Sequence, residues 1–197
     1  MRNTSIFGFI VLVFALTCNA AWAHTDAAGL AGGFVSGFLH PIAGADHVIA
    51  MVAVGLWGVF LGSPAIWLLP VVFPMVMALG GALGVAGVPI PGIETGIALS
   101  GVVLGLMVLF KVKPPIWVAA VIVGFFAIFH GHAHGTELPD AATPLIYSVG
   151  FVIGTGLLHL CGIAFGELSR FSWGTKLVQA GGGVIAGLGL GFLTGWI

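Results

Sequence analysis

Imidazoles and carboxylates are gathered into two short runs of this chain. The first is His40-Pro41-Ile42-Ala43-Gly44-Ala45-Asp46-His47, and the second is His130-Gly131-His132-Ala133-His134-Gly135-Thr136-Glu137. Neutral imidazole nitrogens suit nickel, cobalt, copper and zinc, and a carboxylate lowers the net charge of a bound cation. Pro41 and Gly44 predict a broken helix between His40 and Asp46, with its polar ends facing a cavity. Asp46 also fits a cap on the helix that follows, a role compatible with metal binding. In the second run His130 and His134 share a helix face, and Glu137 joins them if the last turn persists. His132 points toward the following loop. A nonspecific chelating surface is the alternative for this histidine tract.

Two further positions belong to the same chemistry. Glu94 opens a helix after Pro91-Gly92. The helix dipole favours an acid there in any case, so its ligand role depends on sharing a face with the histidines. His159 lies within Leu157-Leu158-His159-Leu160-Cys161. It is either a core hydrogen-bonder or a second station on a path, with Cys161 as a soft neighbour.

These polar groups stand in a chain that is 59% hydrophobic and 6% charged, with mean hydropathy +1.21. Polar side chains are costly in lipid, so those present are functional candidates. Five basic and six acidic residues give no electrostatic footprint for nucleic acid, and no nucleotide-binding loop supports direct ATP hydrolysis. Residues 1–23 read as a cleavable signal peptide: Arg2 as the charged start, Ile6 to Leu16 as the apolar run, Ala21-Trp22-Ala23 as the cleavage site. Cleavage there removes Cys18, leaves Cys161 without an intrachain partner, and makes His24 an amino-terminal chelator. Residues 24–197 read as one integral membrane transport domain.

The elements that must position the candidates follow from the breaks at Pro and Gly. Apolar segments at 46–62, 65–87, 93–110, 115–134, 141–168 and 174–197 are long enough, or nearly so, to cross a bilayer. Lys111, Lys113, Arg170 and Lys176 fall at one set of ends, which the positive-inside rule assigns to the cytoplasm. Trp57, Trp67, Trp117 and Trp173 lie near those ends and predict an interfacial belt. Asp46, Glu94, Glu137, Asp140 and the histidines His40, His47, His130, His132 and His134 fall at the opposite, periplasmic ends. A full crossing by residues 27–39 would conflict with the signal peptide, so they predict a short helix dipping into the outer leaflet. The expected fold is therefore all-α: a polytopic membrane bundle of six full spans plus a short membrane-embedded N-terminal helix, with seven spans as the alternative. Gly80, Gly81, Gly84 and Gly87, and likewise Gly183, Gly187, Gly191 and Gly195, predict close helix packing. Pro70 and Pro74 predict a kink in the second span.

The run from His40-Pro41 to Asp46-His47 resembles the H-P-x-x-G-x-D-H signature of the HupE/UreJ nickel permeases. The resemblance continues through Phe73-Pro74-Met75, Glu94 and the His-x-His-x-His-Gly-x-Glu run ending at Glu137. It implies metal-binding roles for His40, Asp46, His47, Glu94, His134 and Glu137, and a path-shaping role for Phe73. His130, His132, His24 and His159 are secondary candidates. The resemblance further implies nickel uptake across the bacterial inner membrane by a secondary carrier or facilitator, without enzymatic activity. Nickel is then substrate, not cofactor, and the partners are the bilayer and, indirectly, hydrogenase or urease maturation proteins. Cobalt is the alternative ion. Two other classes stand beside this reading. Ser100-Gly101 with His159 resembles the Ser–His dyad of rhomboid-type intramembrane proteases, although Ala98 replaces the usual glycine. A metal sensor or scaffold would bind without transporting.

Overall fold

The computed structural model describes residues 30–137 and 144–197, and all seven α-helices found there belong to one bundle. They are α1 (Leu30–Ala43), α2 (Ala45–Leu61), α3 (Ala65–Val85), α4 (Ile93–Leu109), α5 (Ile116–Thr136), α6 (Pro144–Gly166) and α7 (Ser172–Thr194). A 3₁₀ turn, Glu167–Arg170, joins the last two. No strand occurs among the described residues. The expected signal peptide, His24 and Asp140 lie outside them.

Helix boundaries follow local chemistry. α3 and α5 begin directly after Pro64 and Pro115, where a missing N–H costs nothing. α2 ends at Gly62 (φ 81°), and α3 runs out at Gly87 (φ 70°), conformations open to a residue without Cβ. α1 continues through Pro41, and the break falls at Gly44 instead. There the axis turns by 78° between α1 and α2.

α2 is the hub. It touches every other helix, and Met51, Val54 and Trp57 on it are fully buried. The remaining helices pack by close backbone approach, the main source of specificity where lipid is as apolar as the side chains. Gly80 and Gly84 of α3 meet Ile128 and His132 of α5, while Gly131 and Gly135 of α5 meet Met77 and Gly81 of α3. Gly37 of α1 abuts Tyr147 of α6, and Gly55 of α2 abuts His159 and Gly162. On α7 the close contacts are made by Gly182 and Gly189, against Gly105 and Gly101 of α4. The predicted 183/187/191/195 stripe is off this seam: nothing lies near Gly187 or Gly195.

The outer surface is apolar. Trp67, Val71, Met75 and Leu79 form an exposed ladder along α3 at helical spacing. Such a face suits lipid and would be an aggregation site in water. Four helices, α3, α5, α6 and α7, are long and apolar enough to cross a membrane, and the bent pair α1–α2 adds a fifth if counted as one span. α2 and α4, expected as full spans, have 17 residues each, about 26 Å at 1.5 Å per residue. They match the expected segments 46–62 and 93–110 to within one residue, and are shorter than the other candidate spans.

The described acids and bases segregate as the charge pattern predicts, with one addition. Glu167 pairs with Arg170 at the basic end. Trp57 is not part of an interfacial belt: it is fully buried and donates its indole N–H to the Val112 carbonyl (2.8 Å). Trp67, Trp117 and Trp173 are exposed at that end.

Candidate functional site

At the opposite end, a pocket of about 230 Å³ is lined by His40, Asp46, His47, Glu94, His134 and Glu137. All six metal-binding candidates that the family resemblance implied therefore reach one space. Each arrives by its own route. His40 lies in the last turn of α1, and Asp46 and His47 in the first turn of α2, across the bend at Gly44. Glu94 is in the first turn of α4. His134 and Glu137 come from the end of α5.

Gly44 makes the bend usable. A Cβ there would lie 2.9 Å from Asp46 Oδ1 and 3.2 Å from His47 Nδ1. The absent side chain leaves room for Asp46 to fold back on His47. Gly131 and Gly135 play a related part on α5. Their close contact with α3 rotates the adjacent His130–His134 face toward the centre of the bundle.

Hydrogen bonding fixes how the imidazoles present themselves. Asp46 is not the cap residue of α2; Gly44 takes that position. Its Oδ1 accepts from the His47 backbone N–H (2.9 Å) and from His47 Nδ1 (3.1 Å). A carboxylate only accepts, so Nδ1 carries the proton and Nε2 keeps its lone pair. That lone pair accepts from His134 Nε2–H at 2.5 Å. His134 Nδ1 is then bare, and it is buried without a partner. His40 stands edge-on to His134, with ring centres 4.7 Å apart, and its Nε2 is 3.9 Å from Glu137 Oε2. One donor atom each from His40, His134 and Glu137 lies within 4.8 Å of the others. His40 and Glu137 are the wetter members, with side chains 32% and 59% exposed.

The other α5 histidines differ from expectation. His130 is fully buried; its Nε2–H donates to Ser100 Oγ (2.9 Å), whose own proton goes to the Ile97 carbonyl (2.6 Å). His132 donates Nε2–H to the Val88 carbonyl (2.7 Å), docking α5 on the loop after α3. Both are thus anchored histidines rather than a loose chelating surface. His130 is still next to the pocket, its ring centre 4.5 Å from that of His47. Ser100 was legible only as a protease candidate. Its partner is His130, while His159 has no hydrogen-bond partner at either nitrogen. The Ser100/His159 dyad is therefore not formed, because α4 presents Ser100 to α5 and not to α6. Cys161 is exposed whereas His159 is buried, so the two do not share a face.

Phe73 is fully buried, with its ring centre 5.6 Å from both His130 and His159. Tyr147 and Phe151 of α6 pack against His40 and His134 behind the pocket lining. Sequence reading missed both, since lone aromatics in an apolar span carry no distinguishing signal.

The family described as HupE / UreJ protein matches residues 12–192. The chain belongs to the HupE/UreJ family. It is 44% identical over 173 residues to Protein HupE of Rhizobium leguminosarum bv. viciae, covering 88% of this chain and 91% of that one. No solved structure matches. Membership in the HupE/UreJ family and an apolar, all-helical bundle describe an integral membrane protein, and neither supports the protease reading.

Proposed function

We propose that this HupE/UreJ chain carries Ni²⁺ inward across the bacterial inner membrane as a secondary carrier or facilitator, without enzymatic activity. The observation that supports the reading best is convergence. Six imidazoles and carboxylates from four helices line one pocket at one end of a lipid-compatible bundle.

His40, His134 and Glu137 form the first ligand set, with Glu94 adding charge at the rim and His24 gathering ions ahead of it. Metal–nitrogen bonds of about 2.0–2.1 Å require only a small inward movement of groups now within 4.8 Å. Water fills the remaining positions, which suits nickel's preference for mixed N,O coordination. His47 Nε2 joins when the His134 Nε2–H turns aside and frees its lone pair for the ion. Asp46 acts through His47: a carboxylate on the far ring nitrogen fixes the tautomer and raises ligand basicity.

Orientation follows from charge. Lys111, Lys113, Arg170 and Lys176 at the far end support a cytoplasmic position for that end and a periplasmic one for the pocket. Six crossings then require α2 and α4 to span a locally thinned, protein-lined region. Cleavage after Ala23 leaves 24–197 as the transport domain, and hydrogenase or urease maturation consumes the nickel.

The test is uptake of radioactive nickel by proteoliposomes, competed with Co²⁺ and Zn²⁺. Nickel accumulation lost in His47→Ala is the expected result. Stronger competition by cobalt than by unlabelled nickel would make cobalt the substrate, and binding without uptake would make the chain a sensor or scaffold.

A further inference from the structure

Tyr147, Phe151, Thr155 and His159 follow one another at intervals of four along α6, so they share one helix face. All four are buried, and Thr155 and His159 are 0% and 1% exposed. The Tyr147 hydroxyl, the Thr155 hydroxyl and both ring nitrogens of His159 have no hydrogen-bond partner. Buried polar groups are nearly always paired, because an orphaned one forfeits its water without compensation. Tyr147 lies at the pocket end beside His40, whereas Thr155 and His159 are one turn apart and orphaned together, which calls for a common ligand.

The face leads away from the pocket. Phe151 packs against His134 at 4.3 Å between ring centres, and His159 lies two turns farther along, about 12 Å deeper at 1.5 Å per residue. A second route reaches the same place from α5. His47 abuts His130 (4.5 Å), His130 abuts Phe73 (5.6 Å), and Phe73 abuts His159 (5.6 Å). The Phe73 ring thus separates the pocket histidines from His159.

We infer that His159 and Thr155 form an inner transit site for the divalent cation, separated from the outer pocket by the Phe73 ring. The inference rests on the transport reading above and adds a second station to it. A neutral imidazole and a hydroxyl offer lone pairs but no charge. The described acids lie at the two ends of the bundle: Asp46, Glu94 and Glu137 at the pocket, Glu167 at the other. Such a site holds a partly hydrated cation weakly, as conduction requires; a charged inner site would trap it. Phe73 must turn aside for the ion to pass, which keeps the two stations from forming an open channel.

The experiment measures Ni²⁺ binding stoichiometry in nanodiscs and nickel uptake in proteoliposomes, on the full chain. Wild type is expected to bind one more ion per chain than His159→Ala, with outer-pocket affinity unchanged. Uptake by His159→Ala is expected to fall about tenfold or more, the range seen when one metal-site group is removed. Thr155→Val, which keeps the side-chain shape, carries the test if His159→Ala does not fold, and its uptake should fall severalfold. Wild-type uptake in both variants, or equal stoichiometry in wild type and variant, overturns the inner site. If His47→Ala also transports normally, the transport reading itself fails; if His47→Ala is inactive and the α6 variants are not, only the inner site fails.

Discussion

The outer pocket and the α6 face use the same kinds of atoms in opposite ways. In the pocket, His47, Asp46 and His134 hold one another by hydrogen bonds, and His40 and Glu137 reach water. On α6, Thr155 and His159 are sealed off and hold nothing. A pocket whose members each hold one partner or reach water can wait for an ion at little cost. A buried face with bare donors and acceptors is costly until something occupies it. On the proposed reading the contrast separates capture from passage, and it rests on burial more than on residue type.

Variants in the pocket break the comparison most sharply. His47→Ala removes the nitrogen that pairs with His134 and frees Asp46 from its partner, and should abolish both nickel binding and uptake. Asp46→Asn keeps the shape of the side chain but loses the carboxylate that fixes the His47 tautomer. Nickel affinity should fall about 10–100-fold, the usual cost of losing such a partner, measured by isothermal titration. Acidification acts on the same atoms. Imidazole ligates only when neutral, so nickel affinity should decline on acidification. Binding that rises on acidification would remove the histidines from the ligand set. Ser100→Ala tests the anchor behind the pocket. It frees His130 Nε2–H and should lower uptake severalfold with outer binding unchanged, whereas a protease would lose cleavage of a reporter substrate. Glu94→Gln, at the exposed rim, should have the smallest effect, about two- to threefold in apparent affinity at low salt and less at high salt, since exposed charges are screened.

Much of this was legible in the chain because lipid makes sequence explicit. Apolar runs bounded by Pro and Gly located every described helix, and the Pro41–Gly44 interruption marked the broken pair. The break itself falls at Gly44, since a proline in the last turn of α1 gives up only one hydrogen bond. The bounds of α2 and α4 were legible to within one residue, but hydropathy alone does not decide whether 17 residues make a full crossing. Glycine spacing located the α3–α5 seam at Gly80 and Gly84 but missed Gly182 and Gly189 on α7. A stripe at spacing four can be read on two adjacent faces of a Gly-rich helix, and only the partner α4 selects one.

Residue types and their spacing, by themselves, determined the all-helical membrane class and the polar end of the bundle, and the family resemblance picked out the six side chains at its pocket. That follows because charge and imidazole are too costly in hydrocarbon to be scattered. Tertiary structure alone decided which histidines are anchored and which are bare. Ser100 and the Val88 carbonyl claim His130 and His132, while the inward turn of α6 leaves Thr155 and His159 unclaimed. Such pairings join residues tens of positions apart, and the packing angle between helices sets them.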